Sequence, residues 1–315
     1  IDALVGHESY DQLINNMRGF KQGQSLTGNT EFGNFTTVNT LTSVTDRYRL
    51  ESWFGRINYD FDGLFFATGS VRRDGNSRFA PESRWGTFWS LGGGVALDRL
   101  TFVKNQKWIT SLKLRGSYGT VGVADGIGYY AWQGLYGFAN NAGQSGIVQS
   151  QTSIENRKLT WEVNKQSGVG LDFAFLGGRL SGAFDWYNRV SSDLLFEVPT
   201  PLSSGALSFR ANTATLYNRG IELALNGQII RQKNFGWTMG VQVSTVRNQI
   251  TKMPDAVPEL ITGTKKYAVG ASLFDYWLRT YRGVDSDDGS ALYLANNTTA
   301  TSGLRLKPNK DGGTD

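Results

Sequence analysis

The sequence predicts an all-β chain, an antiparallel transmembrane β-barrel segment of about ten strands. Three observations predict it. Apolar and polar residues alternate with a period of two over long stretches, the connections between those stretches alternate between long and short, and Pro stays in the connections.

The alternation is clearest in Arg179–Arg189, where Leu180, Gly182, Phe184 and Trp186 share one face and Ser181, Ala183, Asp185, Tyr187 and Arg189 the other. Leu112, Leu114 and Tyr118 oppose Lys113, Arg115 and Ser117. Ile57, Tyr59 and Phe61 oppose Arg56, Asn58 and Asp60. Leu171, Phe173 and Phe175 oppose Gly170, Asp172 and Ala174, and Ile221, Leu223 and Leu225 oppose Glu222, Ala224 and Asn226. A strand sends successive side chains to opposite faces, so each segment has one greasy face and one polar or charged face. Alternation alone fits a soluble sandwich, greasy faces packed together, as well as a barrel with those faces toward lipid.

The connections separate the two cases. Strands are expected at 1–9, 46–60, 64–74, 84–97, 108–120, 159–175, 179–195, 216–230, 236–250 and 275–283. Long connections then lie near 10–45, 75–83, 121–158, 196–215 and 251–274, and shorter ones near 61–63, 98–107, 176–178 and 231–235. Barrels of the outer membrane sort their loops this way, long outside and short on the periplasmic side, and a sandwich has no reason to. Several expected strands exceed the roughly 9–11 residues that cross a bilayer, whereas globular strands average about 5–6. Pro81, Pro199, Pro201, Pro254, Pro258 and Pro308 all fall in connections, as a strand hydrogen-bonded on both sides requires. Aromatics gather near strand ends (Trp53, Trp85, Trp89, Trp108, Trp161, Trp186, Trp237 and Trp277 among them), where a barrel carries its interfacial girdles. A sandwich core would also hold such rings. Leu100–Trp108 reads as a short helical turn.

Composition excludes several functions. Charged residues are 19% of the chain and mean hydropathy is −0.33, without the run of about 18 apolar residues that a membrane helix needs. There is no Cys, and His7 is the one His, which excludes disulfides and thiolate metal sites and removes most zinc and triad chemistry. The net charge of +5 is spread without a Lys/Arg block, so no nucleic-acid footprint is present. No cofactor and no metal is expected. The N-terminus Ile1-Asp2-Ala3-Leu4-Val5 has no initiator Met and no apolar leader core, and the polar C-terminus closes nothing. Residues 1–315 therefore read as a partial barrel domain, with closing strands absent.

A series of short motifs adds a family resemblance. Gly55-Arg56-Ile57-Asn58-Tyr59 is followed by Arg73-Asp74-Gly75-Asn76-Ser77-Arg78-Phe79 and Arg84-Trp85-Gly86-Thr87-Phe88. Then come Leu112-Lys113-Leu114-Arg115-Gly116-Ser117-Tyr118-Gly119, Leu159-Thr160-Trp161-Glu162, Gly170-Leu171-Asp172, Asp193-Leu194-Leu195 and Asn218-Arg219-Gly220-Ile221-Glu222. In this order, over roughly residues 50–290, the series resembles the SusC/RagA family of TonB-dependent transporters of the Bacteroidetes outer membrane. Trp89 departs from the pattern, which has a Pro before the Ser90 position. The resemblance implies a barrel of about 22 strands around a plug that lies outside this chain. It also implies import of oligosaccharides or peptides, a SusD-like surface lipoprotein that closes over the barrel, and energy from the TonB complex acting through the plug.

Candidate residues follow. Arg73-Asp74-Gly75-Asn76-Ser77-Arg78 reads as a tight turn with Gly75 and Asn76 at positive φ, with Arg72 or Arg73 paired to Asp74 or Glu82. Arg73, Asp74, Gly75, Arg84, Trp85, Gly86, Trp161 and Gly220 are the positions that carry the resemblance. The polar face supplies lumen-facing candidates: Arg56, Asn58, Asp60, Lys113, Arg115, Asp172, Asp185, Arg189, Glu222 and Asn226, with Glu222 expected beside an Arg. Such charges need partners in a crowded lumen. Trp132, Tyr136, Phe138, Asn140 and Asn141 are the substrate-contact candidates, because aromatic and amide side chains suit sugar rings. Asp285-Ser286-Asp287-Asp288-Gly289 lacks the Glu at the twelfth position of a calcium loop and reads as an acidic turn. No carboxylate pair sits at the spacing glycoside hydrolysis needs, so no catalytic residue and no enzyme is expected. The alternatives to an importer are a passive outer-membrane porin or structural barrel and a secreted all-β glycan-binding module.

Overall fold

The computed structural model describes residues 1–140, 147–151, 153–201, 203 and 208–294. A nine-stranded antiparallel sheet dominates it. In chain order the strands are β1 (Asp2–Gln24), β2 (Phe35–Phe61), β3 (Phe65–Asn76), β4 (Trp85–Ala96) and β5 (Ile109–Val123). A small hairpin of β6 (Tyr136–Asn140) and β7 (Ile147–Gln151) intervenes before β8 (Glu162–Phe175), β9 (Leu180–Pro199), β10 (Ser208–Arg231) and β11 (Gly236–Lys252) complete the sheet. Two further hairpins follow, β12 (Glu259–Thr262) with β13 (Lys265–Ala268), and β14 (Tyr281–Val284) with β15 (Ala291–Tyr293). The sheet order is β1-β2-β3-β4-β5-β8-β9-β10-β11, an up-and-down meander. It is open. β1 pairs with β2 alone, and β11 pairs with β10 apart from hydrogen bonds between Ile250 and residues 270–271.

Local chemistry sets the hairpins. At 62–64 the chain reverses over Asp62 (φ 52°) and Gly63 (φ 60°), with Leu64 N–H donating to the Phe61 carbonyl at 2.9 Å. Two residues at positive φ match the twist of the flanking strands. Gly63 N–H donates to the Asp60 carboxylate and Arg99 donates to the Asp62 carbonyl, which fixes the turn. The 176–179 turn uses Leu176, Gly177 and Gly178 at positive φ. These turns, with 97–108 and 232–235, lie at one end of the sheet, and 25–34, 77–84 and the described parts of the connections that leave β5 and β9 lie at the other. The sorting is not strict. The 97–108 connection, which holds a 3-10 turn and the single-turn helix α1 (Thr101–Lys104), is longer than 77–84.

The register confirms the two faces. Ile57, Phe65, Leu91, Leu114, Val169, Trp186, Ile221 and Val243 fall on one face and are widely exposed. Among the described residues no core lies behind them. The buried apolar residues sit instead at the long-connection end, in one cluster of Phe79, Phe88, Ala124, Ile127, Leu159 and Trp161 and a second of Leu216, Ile250 and Met253.

Four expectations are corrected. Residues 10–24 and 35–45 are not a connection but the outer halves of β1 and β2, a two-stranded ribbon running beyond Leu50–Asn76, where β3 ends. There both faces are exposed, so nothing imposes a period of two. The segment 275–283 does not join the sheet, and only Tyr281–Val284 forms a strand, in its own hairpin. Gly75 and Asn76 are not at positive φ. They end β3, and Gly75 lacks a side chain because the Trp85 ring lies against it. Pro199 is the last residue of β9, opposite Ser208 at the strand end.

Candidate functional site

The polar face gathers its charges into a few linked groups. Arg115 on β5 reaches across β8. Its Nε donates to Asp172 at 3.0 Å and an Nη lies 2.7 Å from Asp185 on β9. Gly170 stands between them, and a Cβ there would meet Arg115 Cζ and Asp185 Oδ1 at 2.5 Å. The glycine therefore lets the ion pair lie flat over the strand. Glu222 follows Asp185 in the same row, with Ser244 beyond it. It forms no ion pair among the described residues, so the expected Arg partner is not found. Arg115 is taken by the two Asp side chains. Lys113 sits over the Phe66 ring at 4.4 Å and Arg189 over Tyr187 at 5.1 Å. Asn58 accepts from Thr68 and donates to Asp2. Arg56 and Asn226 lie on the same face, Arg56 opposite Ser70 and Asn226 opposite Gly240 and Ser181.

At the long-connection end the loops fold onto this face and tie together. Trp161 packs against Phe79 and Phe88, with ring centres at 5.2 and 5.5 Å, and its Nε1–H donates to the Arg84 carbonyl at 3.0 Å. Gly86 makes room for Phe88 and Trp161. Arg157 pairs with Glu82 at 2.6 Å and with Glu155, and lies over the Trp132 ring. The Arg157 guanidinium holds the Glu82 carboxyl below its usual range. Arg78 lies against the rings of both Tyr48 and Tyr129 and donates to the Ala124 carbonyl. Asn212 and Asn156 fasten the 124–161 connection to β9 and β10. On the ribbon, Asp11 accepts from Arg47 and Arg49, and the Arg47 hydrogen bond lowers its pKa to about 2.

Between this rim and the sheet lies a cavity of about 590 Å³, lined among others by Tyr48, Ser70, Arg72, Asp74, Ser90 and Trp161. Arg72 rather than Arg73 pairs with Asp74, at 2.6 Å, and it also reaches Glu8 and Ser52 at 2.8 Å. Arg73 lies over Trp85, on the other face. A second cavity of about 580 Å³ lies toward the short-turn end, beside Asn58, Asp60, Phe66, Lys113 and Arg115.

The positions carrying the resemblance are thus mostly packing positions. Gly220 is another: a Cβ there would strike the Thr245 carbonyl. Of the substrate-contact candidates, Trp132 packs on the buried rim cluster and Tyr136 is exposed. Phe138 and Asn140 lie on β6, and Asn141 lies outside the described residues. Asp285–Gly289 forms the turn of the β14–β15 hairpin, with Asp285 buried and accepting from Asp287 N–H. Glu8 and Tyr48 were not singled out from sequence, and Arg72 was named there as a partner for Asp74 but not as part of a cavity. Arg72 shares a phase with Ser70 and Asp74, and that phase was the available signal.

An open antiparallel meander with an unbacked apolar face and a charge-linked polar face is a segment of a transmembrane β-barrel. The chain matches the TonB dependent receptor-like, beta-barrel family over residues 3–311. It belongs to that family. TonB-dependent receptor P39 of Formosa agariphila is 33% identical over 99% of this chain and 28% of its own length. TonB-dependent receptor SusC of Bacteroides thetaiotaomicron is 32% identical over 80% of this chain and 25% of its own length. A solved structure of the RagAB peptide transporter superposes with a TM-score of 0.81 and 27% identity, over 99% of this chain and 34% of that one. The chain therefore spans about a quarter to a third of the length of these relatives.

Proposed function

We propose that this chain is part of the wall and outer rim of a TonB-dependent importer of oligosaccharides or peptides in a Gram-negative outer membrane. The observation that carries this is the unbacked apolar face, set on a chain that matches the receptor barrel over nearly its whole length. A barrel wall sets such a face against lipid. The polar face then lines the lumen, the long connections face outward, and residues 1–315 are all barrel, with plug and closing strands contributed from outside this chain. The partners on this reading are the bilayer, a SusD-like surface lipoprotein over the rim, and the TonB complex through the plug. The peptide transporter among the structural relatives and SusC among the sequence relatives support this transport role.

The test uses cells that carry the full-length protein and depend on it for growth on a defined oligosaccharide or peptide source. Uptake stops when the TonB complex is deleted or the proton gradient is collapsed. Uptake that persists under both conditions rejects the reading in favour of a passive pore.

A further inference from the structure

We infer that the rim cavity is a subsite for one ring of an uncharged polyhydroxyl ligand, with Arg72 and Asp74 gripping neighbouring hydroxyls. This deepens the importer reading and rests on it.

The inference starts from unused hydrogen-bonding groups. Arg72 spends Nε on Asp74 Oδ1 and one Nη on Glu8 and Ser52, and its other Nη has no partner among the described residues. Asp74 accepts from Arg72 through Oδ1, and its Oδ2 accepts nothing among the described residues. The Tyr48 hydroxyl accepts from Asn76 at 3.3 Å and has its own proton to give. One cavity wall thus offers an N–H donor, an anionic acceptor and a phenolic donor. A hydroxyl both donates and accepts. Two adjacent hydroxyls can therefore accept a hydrogen bond from Arg72 and donate one to Asp74, each charge-assisted.

Charge decides the ligand class. The Arg72 cation already faces two carboxylates, Asp74 and Glu8. At the lip, Asp125 faces Arg78 at 3.9 Å. An anionic ligand would meet Asp74 and Asp125, and a cationic one would have to displace Arg72 from its partners. An uncharged ligand meets neither cost. The cavity volume of about 590 Å³ lies within the roughly 300–1,000 Å³ range of small-molecule sites. The hydroxyls of Ser70 and Ser90, bonded to each other at 2.7 Å, form part of its floor, and Phe88 and Trp161 supply apolar lining.

The test uses the full-length transporter in detergent and saturation-transfer NMR. The probes are a mixture of glucose, galactose, mannose and xylose, then glucuronate and glucosamine, then tri-alanine. Neutral sugars give signals in the wild type. Ser90→Trp, which fills the cavity, abolishes them, as does Val121→Trp from the next strand. Arg72→Lys keeps the charge but loses the fork, and it weakens binding about tenfold or more, as does Asp74→Asn. Heat-modifiable mobility on gels verifies that each variant is folded. Wild-type binding by a folded Ser90→Trp or Val121→Trp, tighter binding of a charged sugar or the tripeptide, or no neutral-sugar signal in the wild type overturns the inference. TonB-dependent uptake at the wild-type rate in Ser90→Trp overturns the subsite and leaves the importer standing. TonB-independent uptake overturns the importer itself.

Discussion

Single residues in this sheet do their work by leaving space or by neutralising a neighbour. Gly170→Ala puts a methyl into the Arg115–Asp185 pair. Overpacking of that kind costs about 1–3 kcal/mol, to be read from urea unfolding of the full-length barrel in lipid vesicles. Asp11 gives a pH test. Its carboxyl, lowered to about 2 by the Arg47 hydrogen bond, titrates near that value by NMR, and Arg47→Ala moves it up toward 3.8. Because the folded value is depressed, the pairing contributes in full above the ordinary carboxylate range and is lost as pH falls toward 2. At this scale the sequence was readable only in part. Arg115, Asp172 and Asp185 were placed on one face by parity. That they form one group depends on register between three strands, and register is not written in any one of them. The partner expected for Glu222 failed for the same reason.

Among the elements, strands that meet lipid on one face announced themselves, because lipid demands the alternation. The outer ribbon of β1 and β2 did not, since water on both sides leaves Thr, Asn and Gln free to occupy any position. The short connections near 61–63 and 176–178 were equally plain, and the structure turns at 62–64 and 176–179. The rim was not, since Trp161 reads as one more interfacial aromatic until its packing on Phe79 and its bond to Arg84 are seen. Its role there is to join the 77–84 and 124–161 connections. Trp161→Ala removes that joint at a cost of about 3–5 kcal/mol. Limited proteolysis of the full-length protein in membranes will show cleavage appearing within 77–84, while the sheet stays intact.

For the whole molecule, the open question of the alternation, sandwich or barrel, is answered by what lies behind the apolar face, which is nothing among the described residues. Val243 and Ser244 are neighbours on opposite faces near the middle of β11, and both are exposed. Val243→Arg therefore costs about 2–4 kcal/mol of barrel stability in lipid, and Ser244→Arg costs far less. Equal costs at the two positions, measured by unfolding from vesicles, would place lipid on neither face. The family match fits the same picture: relatives three to four times longer align with this chain at about a third identity.

The meander also sets an order of events. Seven of the eight pairings in the sheet close a connection of at most about a dozen residues, so most pairings are local and close rapidly. The join of β5 to β8 is different, for the whole of 124–161 must be looped out before those strands touch. Closure entropy grows only slowly with length, so the join is affordable, but it is the slowest contact in the sheet to nucleate. The chain thus assembles as two half-sheets, β1–β5 and β8–β11, with the rim connection as the seam, and the Arg115 bridge to Asp172 and Asp185 reports the moment the seam closes.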